Sequence, residues 1–234
     1  MPTFLELQDD AALLSFEHQL HLSERVGEHS WRVDLAQPLF EFTGENPLVA
    51  DRVHLLGSAA PGPGSWLWAW ANPFGYRPEV LGIALAAKEF GERHGIPELA
   101  EAEVPFDALP GSPTEPAQVA SLMMEAAKVA TGRWSGYQGP VGGGTRAGFL
   151  LEHPELSLPP ASSARTMRVL QQGVMELTLH DHRRAFGSYA VHRGLAVSGE
   201  DGPMWITGPD FRIGVEFNER NQMTKMSATL GAPS

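Results

Sequence analysis

Apolar residues recur at helical spacing over residues 9–28, where Leu13, Phe16 and Leu20 share a side, Asp9 or Asp10 stands ready to cap and Gly27 marks the stop. The pattern then switches to alternation, with Trp31, Val33 and Leu35 set against Arg32 and Asp34. Two more strand signals follow, "LFEF" and "RVHLLGS", and "APGPGS" is a turn. Next comes "GSWLWAWANPFGYRP", residues 64–78, with Trp66, Trp68 and Trp70 at every second position. As a strand this puts three indoles on one face. Leu67, Ala69 and Ala71 take the other, small enough for a helix to lie close.

The middle of the chain returns to the helical period. Residues 79–94 follow Pro78 and carry Val80, Ile83, Ala87 and Phe90 on one side, with Gly95 closing the helix. After the loop "EVPFDALPGSP", Thr114 is placed to cap a second helix bearing Val119, Leu122, Met123 and Ala126, ahead of Gly132. "GYQGPVGGGTRAG" reads as a glycine-rich loop and "PELSLPPASS" as a break. Residues 163–187 read as one long helix with Met167, Leu170, Val174 and Leu177 in its stripe. Strand patterns end the chain at "GLAVSG", "PMWITG", "FRIGVEFN" and "QMTKMSATL", with "NERN" as a hairpin loop. Phe211, Ile213, Val215 and Phe217 share one face of a half-buried antiparallel strand.

The expected fold class is α+β: antiparallel curved sheets packed by long helices. "PLFEFTG" and "PMWITG" each follow a helix and a short strand. They suggest an α-βββ(β) pseudo-repeat, halves 9–73 and 163–230 of a single domain 1–234, with a helical insert at 78–160. The outline is cystatin-like in architecture only.

Composition narrows the function classes. The 234 residues are 42% hydrophobic and 19% charged, ordinary for a globular chain with a sizeable core. There is no cysteine, which excludes disulfides, thiolate metal sites and cysteine nucleophiles and agrees with a cytoplasmic setting. "MPTFLELQDDAALL" lacks the basic and apolar regions of a secretory signal, and no stretch reaches a membrane span of about 18 apolar residues. The formal net charge of -11 repels phosphate backbones, so nucleic acid is not an expected partner; the acidity suits a basic protein partner or simply keeps the chain soluble.

"LLGSAAPGPGSWLWAWANP", with "GRWSGYQGPVGGGTRAGFLLEHPEL", resembles a bacterial family of uncharacterised proteins with a WLWAWANP-type core. The likeness runs through most of the chain and is densest at 54–73. It implies one domain layout. The family has no assigned activity, so no catalytic residue carries over.

Three groups of residues carry candidate chemistry. Trp66, Trp68 and Trp70, with Tyr76 closing the same segment, form a core anchor or the floor of a pocket for an apolar or aromatic ligand. If the indoles are buried, His54, Asn72 or a ligand would serve as acceptor. "GPVGGGTR" offers backbone amides beside Thr145 and Arg146 for an anion, flanked by Trp134, Tyr137 and Phe149. It lacks the phosphate-loop and dinucleotide-binding spacings, and the competing reading is a mobile lid or plain connector. Glu17, His21 and Glu24 share one helix face, and Asp181 falls on the core stripe of the last helix; together with His180 or His182 they are the candidate divalent-metal or acid–base set. Ser65, Ser135 and Ser188 stand in no recognisable nucleophile motif.

The first functional expectation is a non-catalytic binding protein for a small apolar or aromatic ligand, or an acidic adaptor or immunity-like module, with no cofactor. The alternative is a metal-assisted hydrolase using the His and carboxylate groups of the two long helices. The third is an assembly subunit, in which an edge strand pairs with another copy.

Overall fold

The computed structural model describes residues 1–199 and 202–231. In chain order the elements are α1 (Phe4–Val26), β1 (His29–Asp34), β2 (Leu39–Gly44), β3 (Leu48–Val49), β4 (Arg52–Ala60) and β5 (Ser65–Trp68). Then come α2 (Pro78–His94), α3 (Pro97–Ala100), β6 (Glu103–Pro105), α4 (Pro116–Thr131), β7 (Gly136–Gly142) and β8 (Thr145–Glu152). The last are α5 (Ser163–Glu176), α6 (His182–His192), β9 (Ala196–Ser198), β10 (Met204–Thr207), β11 (Phe211–Phe217) and β12 (Met223–Leu230). The fold is α+β, with three antiparallel sheets among the described residues and no closed barrel. None of the described helices is long and apolar enough to cross a membrane.

The chain divides into two compact units, Met1–Phe4 with His18–Ser157, and Leu5–Glu17 with Leu158–Ser234. In the first, the central sheet runs β6-β5-β4-β8-β7 and a smaller sheet runs β1-β2-β3. The two faces of the central sheet have different partners. Trp66 reaches over Gly57 and Gly148 toward Met124 of α4; a Cβ on Gly57 would meet the Trp66 ring at 2.6 Å, and one on Gly148 would meet Met124 at 2.9 Å. Both strand glycines are there because an indole needs the space of their missing side chains. The opposite face carries Phe149, whose ring centroid lies 5.4 Å from Phe40 and 6.0 Å from Trp31.

In the second unit the sheet order is β12-β11-β10-β9. Phe211, Ile213 and Val215 are buried with Val169 and Leu170 of α5, Phe186 and Tyr189 of α6, and Leu7 and Leu13 of α1. "PLFEFTG" supplies β2 and "PMWITG" supplies β10, each the second strand of an antiparallel meander.

Four local expectations are corrected. The Trp strand stops at Trp68, and Ala69–Ala71 turn into a 3-10 helix. Asn72, held extended before Pro73 at φ -72 and ψ 127, ends that turn, and its Oδ1 accepts from the Phe74 N–H at 3.0 Å. Residues 163–187 are two helices, because Asp181 caps α6 through the Arg184 N–H at 2.8 Å. Thr114 is not a cap; Glu115 holds that place, with Pro116 in the first turn. The glycine-rich segment is the β7–β8 hairpin, and Gly142, Gly143 and Gly144, all at positive φ, make its turn.

Candidate functional site

Strands β4 and β8 pair with Arg52 opposite Glu152 and His54 opposite Leu150. Residues two apart on a strand share a face, so Arg52 and His54 stand on the same side as Glu152. Nearby, α4 ends on Gly132 in the left-handed conformation, and the chain passes through Arg133, Trp134 and Ser135 into β7. The strand ends and the helix exit thus bring charges from three distant segments together.

Glu152 is the hinge of the arrangement. Its Oε1 lies 3.1 Å from His54 Nε2 and 3.5 Å from Arg133 Nε. His54 is only 6% exposed, and its Nδ1 has no hydrogen-bond partner. No protein atom compensates the desolvation of this ring nitrogen. Arg52 is exposed and makes no side-chain ion pair among the described residues.

Two cavities meet on this charged seam. One, about 410 Å3, lies toward α2 and is lined by His54, Pro78, Glu79 and Ile83. The other, about 620 Å3, is lined by His18, Trp134, Ser135 and His153. Asp51, Arg52, Arg133 and Glu152 line both. Ser135 Oγ lies 3.3 Å from His18 Nδ1 and donates to the Leu156 carbonyl at 3.2 Å. Guanidinium groups, carboxylates, imidazoles and one indole thus face a single groove. That mixture suits a ligand with an anionic group and a flat portion.

Of the candidate ligand residues, only Trp134 lines either cavity. Trp66 and Trp68 are fully buried, at 5.6 Å edge-to-face, and Trp68 Nε1 donates to the Glu98 carbonyl at 3.0 Å. Neither His54 nor Asn72 is that indole's acceptor. Trp70 is half-buried with the Lys88 ammonium 4.5 Å above its ring. Tyr76, half-buried in the loop before α2, lies beside Phe74, and burial raises its phenol pKa. Tyr137 joins the Trp31–Phe40–Phe42 cluster on the face away from the helices. Thr145 opens β8, and Arg146 Nε donates to Gln138 Oε1 at 3.2 Å.

The candidate metal residues are committed to protein partners. Glu17, fully buried, accepts from the Tyr189 hydroxyl at 2.9 Å and pairs with Arg193 at 2.9 Å. His21 Nε2 meets the Glu155 carbonyl at 3.0 Å, Glu24 is exposed on α1, and Asp181 is the α6 cap, also accepting from Asn221 at 2.8 Å. Among the described residues no group of three or more His, Asp or Glu side chains could hold a metal. The periodicity argument missed Arg133, His153 and Glu152. The one signal available was a histidine inside the apolar strand "RVHLL" with a carboxylate at the end of another strand.

A family model, "Family of unknown function (DUF6882)", matches residues 5–154, so the chain belongs to that family. The match spans the whole of the smaller cavity and the charged seam. No curated protein and no solved structure matches the chain.

Proposed function

We propose that this member of the DUF6882 family is a binding protein that does no chemistry on its ligand. It takes, in the groove at Glu152, a small molecule carrying a carboxylate or phosphate next to a flat apolar portion. The supporting observation is the seam of Asp51, Arg52, Arg133 and Glu152 shared by two cavities, with a buried His54 whose Nδ1 is unpaired. Arg52 and Arg133 receive the anion, Trp134 stacks on the flat portion, and Glu152 holds Arg133 in place. Binding without turnover is favoured because the Ser135 hydroxyl is shared between the Leu156 carbonyl at 3.2 Å and His18 Nδ1 at 3.3 Å instead of being held by the imidazole alone.

A thermal-shift screen of small carboxylates and phosphomonoesters, with and without an aromatic ring, tests this reading. Hits are titrated by calorimetry. Arg133→Ala is expected to weaken binding by about tenfold or more, the loss of roughly one charge-assisted hydrogen bond. Trp134→Ala removes the preference for ring-bearing compounds. Equal affinity in the two variants and the unmodified chain sinks the site. Covalent labelling of Ser135 by a fluorophosphonate sinks the non-catalytic assignment.

A further inference from the structure

Strand β12 closes one side of the second unit's sheet, and among the described residues no strand pairs with its outer edge. Its register on β11 sets Met226 against Val215, Ala228 against Ile213 and Leu230 against Phe211. Paired residues share a face, so these three continue the buried row of β11. Phe211, Ile213 and Val215 are fully buried, yet Leu230 is 72% exposed and Ala228 is exposed. The apolar face therefore runs one strand further than its cover.

The edge is lightly protected, by one lysine and by a register shift at its Met223 end. The eight residues Met223–Leu230 contain no proline and one charge, Lys225, which pairs with Glu216 on β11 at 3.2 Å. The Gly231 N–H donates to the Asp210 carbonyl at 2.9 Å, and this sets the phase of the ladder. Residues 225, 227 and 229 turn their backbone groups to β11. Residues 224, 226, 228 and 230 turn theirs outward.

We infer that β12 is a homodimer interface, pairing antiparallel with β12 of a second copy about a twofold axis at Ser227. This inference is independent of the ligand groove. The occupant is a second copy because the strand is complementary to itself. In this register Thr224 faces Leu230 of the second copy and Met226 faces its Ala228, so the outward backbone groups pair throughout and the two uncovered apolar rows adjoin. Charge agrees: a chain of net charge -11 repels its copies elsewhere, but the strand has no acidic residue, and each Lys225 meets a neutral Thr229. The axis stands perpendicular to the sheet, so both helix layers lie on the same side of the joined sheet.

Light scattering of the full chain is expected to read twice the 25.4 kDa monomer mass. Ala228→Pro removes an outward amide unused within one copy, and is expected to return the mass to one chain with the circular dichroism unchanged. The chain has no cysteine, so Ser227→Cys is a clean probe, expected to oxidise to a covalent dimer. Lys225→Cys, facing Thr229, is expected to do so about tenfold more slowly, since its thiols are too far apart to join. A single-chain mass for the unmodified protein, or equal oxidation rates at the two positions, overturns the proposal. So does a dimer that survives in a folded Ala228→Pro variant.

Discussion

His54 is an imidazole on a strand whose neighbours Val53, Leu55 and Leu56 are all buried. It is tolerated there because Nε2 finds Glu152. Glu17 shows the same logic more strongly. A fully buried carboxylate survives because Arg193 and Tyr189 converge on it, with Arg165 Nε at 3.6 Å. Burial and the Glu17 charge push the Tyr189 phenol pKa far up, so this hydroxyl stays a donor at any ordinary pH. Glu17→Gln leaves the arginine charge buried and is expected to cost about 3–5 kcal/mol in urea unfolding. His182 is half-buried: its Nδ1 accepts from the Met223 N–H at 3.3 Å, and desolvation lowers its pKa below 6.5. The folded state thus takes up the proton less readily than the unfolded chain. This contribution to stability is complete above pH 6.5 and is lost as pH falls through the folded pKa. Measured between neutral and mildly acid pH, His182→Gln is expected to flatten the stability slope by at most about 1.4 kcal/mol per pH unit.

At the scale of elements, close approach decides more than propensity. Strand β4 pairs Gly57 with Trp68 and Ala59 with Trp66, and the Trp66 ring leans back over Gly57. Gly57→Ala puts a methyl group against the Leu67 carbonyl and the ring, and is expected to destabilise by about 1–3 kcal/mol. Near-UV circular dichroism should register the displaced indole. The α5–α6 break belongs to the same scale. Asp9 of α1 accepts the His180 and Asp181 N–H groups at 2.8 and 3.0 Å, and Asp181 in turn caps α6. Helical periodicity through 163–187 is blind to this, because the residue that holds the connection in place lies more than 150 positions away. The alternation of the tryptophans gave the right face for Trp66 and Trp68 and the wrong one for Trp70, where the local turn signal of "ANP" prevails.

For the whole molecule, the groove and the β12 edge lie in different compact units, each with its own sheet and buried core. Arg133→Ala is therefore expected to change ligand affinity and leave the molecular mass alone. Ala228→Pro is expected to do the reverse, with ligand affinity held within about twofold, as for sites sharing no partners. Calorimetry and light scattering on the same pair of variants check both statements.

The α+β class, the antiparallel character of the strands, the helices beginning at Pro78 and ending at Gly95 and Gly132, and membership of an uncharacterised family could all be read from order and spacing along the chain. Those features follow from local sterics and from which face must leave water, and each is set by residues within a few positions of one another. The gathering of Arg52, Arg133 and Glu152, the burial of Glu17 and the uncovered row on β12 were decided only by the tertiary fold. They depend on which distant segments become neighbours, and one sequence carries no periodic signal for that. A carboxylate at a strand end looks the same along the chain whether it meets solvent or an imidazole.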